Sequence, residues 1–299
     1  MALFSRGIEN FRGKYILWPF LYFVRAGLTV LYSLPVLVLV DNTLTSSPYA
    51  RPLLKVWSVD VISELLSSKQ SLLSSFVLVL LFYLVLVFLV KQFLNGGIYH
   101  AYLSHERVER YTFFGESARL WLGNLKISAI IVALYFALSI VGLLFAAKVP
   151  YDAFGHFGSA ILQSLAVKVL ILYAFLILGF VLSDLMRLRL AAHPGERLSE
   201  SFKAAMGFYA TNFVKCYGTY VLYFVPFLVV LFFAEWLAVI VTNGLDSVVG
   251  VVLELLLFQI VIAVQIGQSL LYTATMAPLF RSHQPGRFKQ IVQGELRLD

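Results

Sequence analysis

Six stretches of this sequence, residues 15–40, 72–94, 125–147, 160–183, 214–241 and 248–274, are apolar over the length a helix needs to cross a bilayer. About 20 such residues cover a hydrocarbon core roughly 30 Å thick. Lipid offers the backbone no hydrogen-bonding partner, so each stretch has to pair its own amides and carbonyls as a helix. The runs recur through nearly the whole chain and leave no room for a separate soluble catalytic domain. The expectation is an all-α polytopic membrane protein, one integral domain over residues 1–299, with six transmembrane helices plus interfacial amphipathic helices. Composition agrees, with 60% hydrophobic and 13% charged residues against about 45–50% and 25% in soluble domains.

The first stretch follows Arg6, Arg12 and Lys14 as a signal peptide would. It is longer than a signal's apolar core, carries Arg25 and lacks a small-residue cleavage site, so it reads as a retained span. With six spans drawn, Lys and Arg fall seventeen on one side and four on the other, with Arg25 and Lys168 inside. The positive-inside rule then turns both termini toward the cytoplasm. The formal charge of +7 is spread over short segments beside span ends. It predicts attraction to anionic lipid headgroups of the bilayer and excludes nucleic acid as the partner. A single cysteine, Cys216, and no Asn-x-Ser/Thr sequon suit a bacterial inner membrane. In the outer loop, Leu54, Trp57, Val61, Ile62 and Leu65 recur at helical spacing, which predicts an amphipathic helix over about 52–68.

Two cytoplasmic segments resemble one another. Gly115-Glu116-Ser117-Ala118-Arg119 is followed by Gly123, and 84 residues later Ser199-Glu200-Ser201-Phe202-Lys203 is followed by Gly207. A fainter echo links His193-Pro194-Gly195-Glu196-Arg197 to His283-Gln284-Pro285-Gly286-Arg287. The spacing predicts a partial hairpin repeat, with interfacial segments over about 97–124, 184–213 and 281–299. Pro-Gly stops one helix, and Glu in the first turn of the next favours its positive end. Glu116, Arg119, Glu200 and Lys203 are the candidate docking residues for a membrane or cytoplasmic protein partner. The layout, from about Leu72 to Val241, resembles the membrane region attached to some bacterial glycerophosphodiester phosphodiesterases. The catalytic domain of those enzymes has no counterpart here, so the resemblance implies no activity.

Catalytic motifs are absent: the sequence contains no Gly-x-Ser-x-Gly elbow, His-Glu-x-x-His helix or Gly-x-x-x-x-Gly-Lys loop. His100, His105, Glu106 and Glu109 are the densest group of potential metal ligands. On a helix His100 and His105 stand about 140° apart, whereas His105 and Glu109, at i and i+4, could share an ion. Polar residues at an interface explain the group better, and no cofactor is expected. Cys216 beside Lys215 has no histidine nearby in sequence and reads as an inert thiol.

Charges inside the spans cost roughly 2.5–3.5 kcal/mol each at a helix centre and need compensation. At about 1.5 Å per residue, Lys168, Glu235 and Glu254 lie at a common depth of about 8–12 Å from the outer ends of their spans. Gln265, Gln268 and Tyr272 lie within about 40° of the face of Glu254, a polar stripe that should face the bundle. Such a cluster either holds helices together or lines a path for a small solute, a proton or a lipid. The sequence therefore supports two functions: a non-enzymatic scaffold, assembly or accessory protein, and a secondary transporter or permeability protein using the Lys168, Glu235 and Glu254 level.

Overall fold

The computed structural model describes residues 2–44, 70–104, 108–150, 158–244 and 248–282. The expected outer amphipathic helix over 52–68, His105 with Glu106, and the C-terminal segment beyond Ser282 lie outside these residues. Among the described residues there are eight helices and no strands: α1 (Ala2–Arg12), α2 (Leu17–Leu44), α3 (Gln70–Leu103), α4 (Arg110–Ala146), α5 (Gly158–Ala192), α6 (Leu198–Thr211), α7 (Phe213–Gly244) and α8 (Val248–Ser282). Six of them, α2, α3, α4, α5, α7 and α8, are long and apolar enough to cross a membrane. Their outward faces carry Phe136, Leu170 and Phe232, each more than 60% exposed. Water would penalise such surfaces, whereas lipid tails solvate them. The protein is an all-α, multi-pass membrane protein.

The chain divides into two compact units, residues 19–91 and the remainder. The smaller is a hairpin of α2 with the first part of α3, in which the rings of Tyr32 and Tyr83 meet at 4.5 Å between centroids. The larger, called the main unit below, contains α1, α3 from Gln92 onward, and α4 to α8. Within it α4 packs along α5, α7 along α8, and α1 along α8, while α6 lies against α5.

The helices run past the expected ends of the spans. The second span continues from residue 94 to Leu103, and the polar segment around Glu116 is no separate interfacial helix but the opening turns of α4. At 37 residues α4 is about 55 Å long, well beyond the hydrocarbon thickness. No proline interrupts it, so polar residues such as Asn124 and Lys126 continue the helix instead of ending it. The segment around Glu200 is built differently. His193-Pro194-Gly195 ends α5, and α6 forms a short amphipathic helix whose Ser201, Ala205, Phe208 and Tyr209 are buried. Asn212, at φ −119° and ψ 26°, separates it from α7. Its amide donates back to the Phe208 carbonyl at 3.3 Å, while the Thr211 hydroxyl bonds the Gly207 and Phe208 carbonyls at 3.0 Å. Such back-bonding competes with the helical ladder and favours a break there.

Helix α1 has no counterpart among the six apolar runs, although Phe4, Ile8 and Phe11 stand at helical spacing among Arg6, Glu9 and Arg12. Phe4 stacks on Tyr223 at 5.4 Å. Gly7 passes so close to α8 that a Cβ there would lie 3.0 Å from the backbone Cα of Thr275, which fixes glycine at the crossing.

Candidate functional site

Many polar side chains of the main unit gather at one end of the bundle. There the C-terminal ends of α3, α5 and α8 meet the N-terminal ends of α4 and α7, together with α1 and α6. Three polar assemblies occupy this end.

The first plugs the C-terminus of α3. The last carbonyls of a helix have no intrahelical donors and must be met from outside if they are buried. Tyr102 is fully buried, and the Asn10 amide donates to its carbonyl at 3.3 Å and to that of Ala274 at 3.1 Å. Arg281 adds a second bond to the Tyr102 carbonyl at 2.8 Å. The Lys14 ammonium donates to the carbonyls of Ala101 and Ser104. A cation at a helix C-terminus also complements the helix dipole. Burial, with the nearby charge of Arg281 adding to it, pulls the Lys14 ammonium down to about 8.

The second assembly ties α3, α4 and α5 together. Asn124, 1% exposed, donates to the Gln92 carbonyl at 3.1 Å. Arg187 reaches the Gln92 side-chain oxygen at 3.4 Å, the Ser128 hydroxyl at 3.2 Å and the Asp184 carboxylate at 3.5 Å. The Tyr99 hydroxyl donates to Asp184 at 2.5 Å. Close approach of α3 and α4 allows the Gly97 amide to donate to the Ser117 hydroxyl at 3.1 Å. A Cβ on Gly97 would stand 2.5 Å from that hydroxyl and 2.7 Å from the Phe113 ring.

The third closes the turn between α5 and α6. Arg189 makes two parallel bonds of 2.6 Å to the Glu196 carboxylate, and the Ser201 hydroxyl donates to it at 3.0 Å. The Arg189 hydrogen bonds, which outweigh the opposing effect of burial, hold the Glu196 carboxyl below its ordinary range. On α6 burial raises the Tyr209 hydroxyl above its ordinary value.

The residues singled out in the sequence fall at several places. Glu116 is half-buried and paired with Arg119 at 2.5 Å, with the His100 ring 3.6 Å away. Arg119, Glu200 and Lys203 are exposed, the last two on the outer face of α6. Lys168 is half-buried on α5, Glu235 is exposed on α7, and on α8 Gln265 is exposed and Gln268 half-buried. The Glu254 side chain lies outside the described ones. Glu109 caps the start of α4 through its backbone and is exposed. Among the described residues, no three His, Cys, Asp or Glu side chains converge as a metal site. A cleft lined by Gly97, His100, Ser104, Glu109 and Phe113 has room for little more than a water molecule. Cys216 is fully buried at the start of α7.

The sequence pattern alone assigns no site role to Asp184, Arg187, Tyr99, Gln92 or Asn124. Their signal was present as Gln92-x-x-Asn95 and Asp184-x-x-Arg187. At the margin of an apolar run, however, a polar residue reads as loop charge until the helix is known to continue through it. Searches against protein-family models, curated proteins and solved structures returned no match to this chain.

Proposed function

We propose that this multi-pass membrane protein is a non-enzymatic scaffold or accessory protein that offers the exposed face of α6, with Arg119 of α4, to a protein partner on the cytoplasmic side of a bacterial inner membrane. The observation that carries this reading is a division of labour among the charges. The half-buried ionic groups at the polar end are spent inside the fold: Arg189 holds Glu196 across the turn after α5, Arg187 of α5 reaches Gln92 of α3 and Ser128 of α4, and Asp184 takes the Tyr99 hydroxyl of α3. Glu200 and Lys203 instead stand outward from a helix anchored by Ser201, Ala205, Phe208 and Tyr209. Cytoplasmic placement of this end follows from the seventeen-to-four distribution of Lys and Arg. Transport through the Lys168, Glu235 and Glu254 level is the weaker reading, because Glu235 lies on the outer surface. A path through the bundle gains nothing from a carboxylate outside it.

The test is site-specific photocrosslinking from Lys203 in cells, in chains carrying Arg119→Glu or Glu200→Lys. Charge reversal is expected to abolish the crosslinked product while the amount of protein in the membrane stays constant. Unchanged crosslinking, or loss of the protein itself, refutes the docking face.

A further inference from the structure

We propose that the main unit contains a hydrated proton inlet, with Asp184 at its mouth and the hydroxyls of Tyr99, Tyr272, Tyr220 and Tyr173 leading water from there toward the middle of the bundle. This site is independent of the docking face on α6.

The starting point is Tyr272. Its residue is 2% exposed, and its hydroxyl has no hydrogen-bond partner among the described residues. An unpaired hydroxyl at such burial keeps its full desolvation penalty, and ordered water is the usual relief where other polar groups are near. They are near: Asp184, Tyr99, Tyr220 and Cys216 all lie within electrostatic reach of the Tyr272 hydroxyl. The Tyr220 ring meets that of Tyr272 edge-on at 5.3 Å, and its hydroxyl lies 3.5 Å from that of Tyr173. Tyr173 and Asp184 stand on the same helix, eleven residues and therefore about 16 Å apart along the axis, and within about 20° around it. The hydroxyls thus reach from the polar end about halfway through a hydrocarbon core.

Asp184 is the mouth because 22% of its side chain is exposed, while Tyr99 and Tyr272 are buried. The groups within electrostatic reach of it come from several helices: Tyr99 of α3, Tyr135 of α4, Arg187 of α5, Tyr220 of α7 and Tyr272 of α8. The Arg187 guanidinium at 3.5 Å opposes a metal cation at this carboxylate, which leaves water and the proton as the guests. A hydroxyl passes a proton by accepting one on its lone pair as it releases its own, so transfer along the row leaves each phenol neutral. Between the hydroxyls the walls are apolar. Phe180 stacks on Tyr220 at 6.1 Å and Phe224 on Tyr173 at 4.7 Å.

The test places 3-fluorotyrosine at position 272 of the full chain in nanodiscs and compares its fluorine resonance in H2O and D2O. The expected solvent isotope shift is at least half that of the same probe at Tyr111, which is 95% exposed. The resonance should also move with pH, and Asp184→Asn should abolish that movement. An isotope shift below a tenth of the Tyr111 value refutes the water, and a pH response that survives Asp184→Asn refutes the proton site. Should the probe at 272 prevent folding, the same probe at Tyr220 reads the same inlet, and Tyr272→Phe should at least halve its isotope shift. An unchanged shift there overturns the proposal.

Discussion

Removing the Arg189 side chain tests whether the half-buried ion pair holds the turn between α5 and α6. Arg189 and Glu196 are 11% and 15% exposed, joined by two bonds of 2.6 Å, with Ser201 as a further donor to the carboxylate. Arg189→Met keeps the apolar stem but leaves Glu196 with the Ser201 hydroxyl and the nearby His193 ring. Breaking one partner of a fully buried pair costs about 3–5 kcal/mol; here water still reaches the half-buried Glu196 carboxylate, so the loss falls at the low end, about 3 kcal/mol. Glu196→Gln preserves the shape and loses the charge assistance, for about 1.5–3 kcal/mol. Replacing both by Met removes the desolvated charges together and should cost less than the two single losses added. Cys216 supplies the assay: its thiol is fully buried at the start of α7, so a fluorogenic maleimide reports the temperature at which the region opens. The expected midpoints fall in the order Arg189→Met, Glu196→Gln, wild type, with strong coupling in the double variant. Single-variant midpoints equal to wild type, or strictly additive losses, refute the reasoning.

The α3–α4 crossing predicts opposite signs for two glycines: Gly97→Ala should destabilise by about 1–3 kcal/mol through overlap with Ser117 and Phe113. Gly115→Ala, with nothing within 4 Å of its Cβ, should stabilise by about 0.5–1 kcal/mol in the same thiol-labelling assay. Lys14 binds its proton less tightly in the fold than in the unfolded chain, at about 8 against 10.5. Unfolding therefore takes up a proton in that window, and thermal stability measured by circular dichroism should rise from pH 8 to 10.5, a rise that Lys14→Met removes. The Glu196 carboxyl, held low, contributes stability that is full above its unfolded value of 4.5 and lost as pH falls through its folded value; Glu196→Gln should flatten that acid limb. Cysteines introduced at Ser46 and Ser199 in a Cys216→Ala chain should be labelled by an impermeant reagent from opposite sides of the membrane, and labelling from one side refutes the six-span topology.

The sequence by itself determined the class of the fold. Apolar runs of membrane length leave the backbone only helices to form, so six helices able to cross a membrane could be read before any contact was known. Local chemistry also marked the break before α6, where Pro194 and Gly195 disfavour continuation of α5. Tertiary structure decided the rest. Whether Glu116 begins a separate interfacial helix or lies within α4 depends on packing against α3 and α5, which sequence period does not report. Helix α1 was hidden by its mixed composition, and its place is set by Gly7 against Thr275 and by donors that meet the end of α3. The Asp184 network joins residues 85 to 95 positions apart in the chain. Helical periodicity fixes which residues share one helix face, whereas a buried polar group finds its partner across a helix interface, and only the packed bundle specifies that pairing.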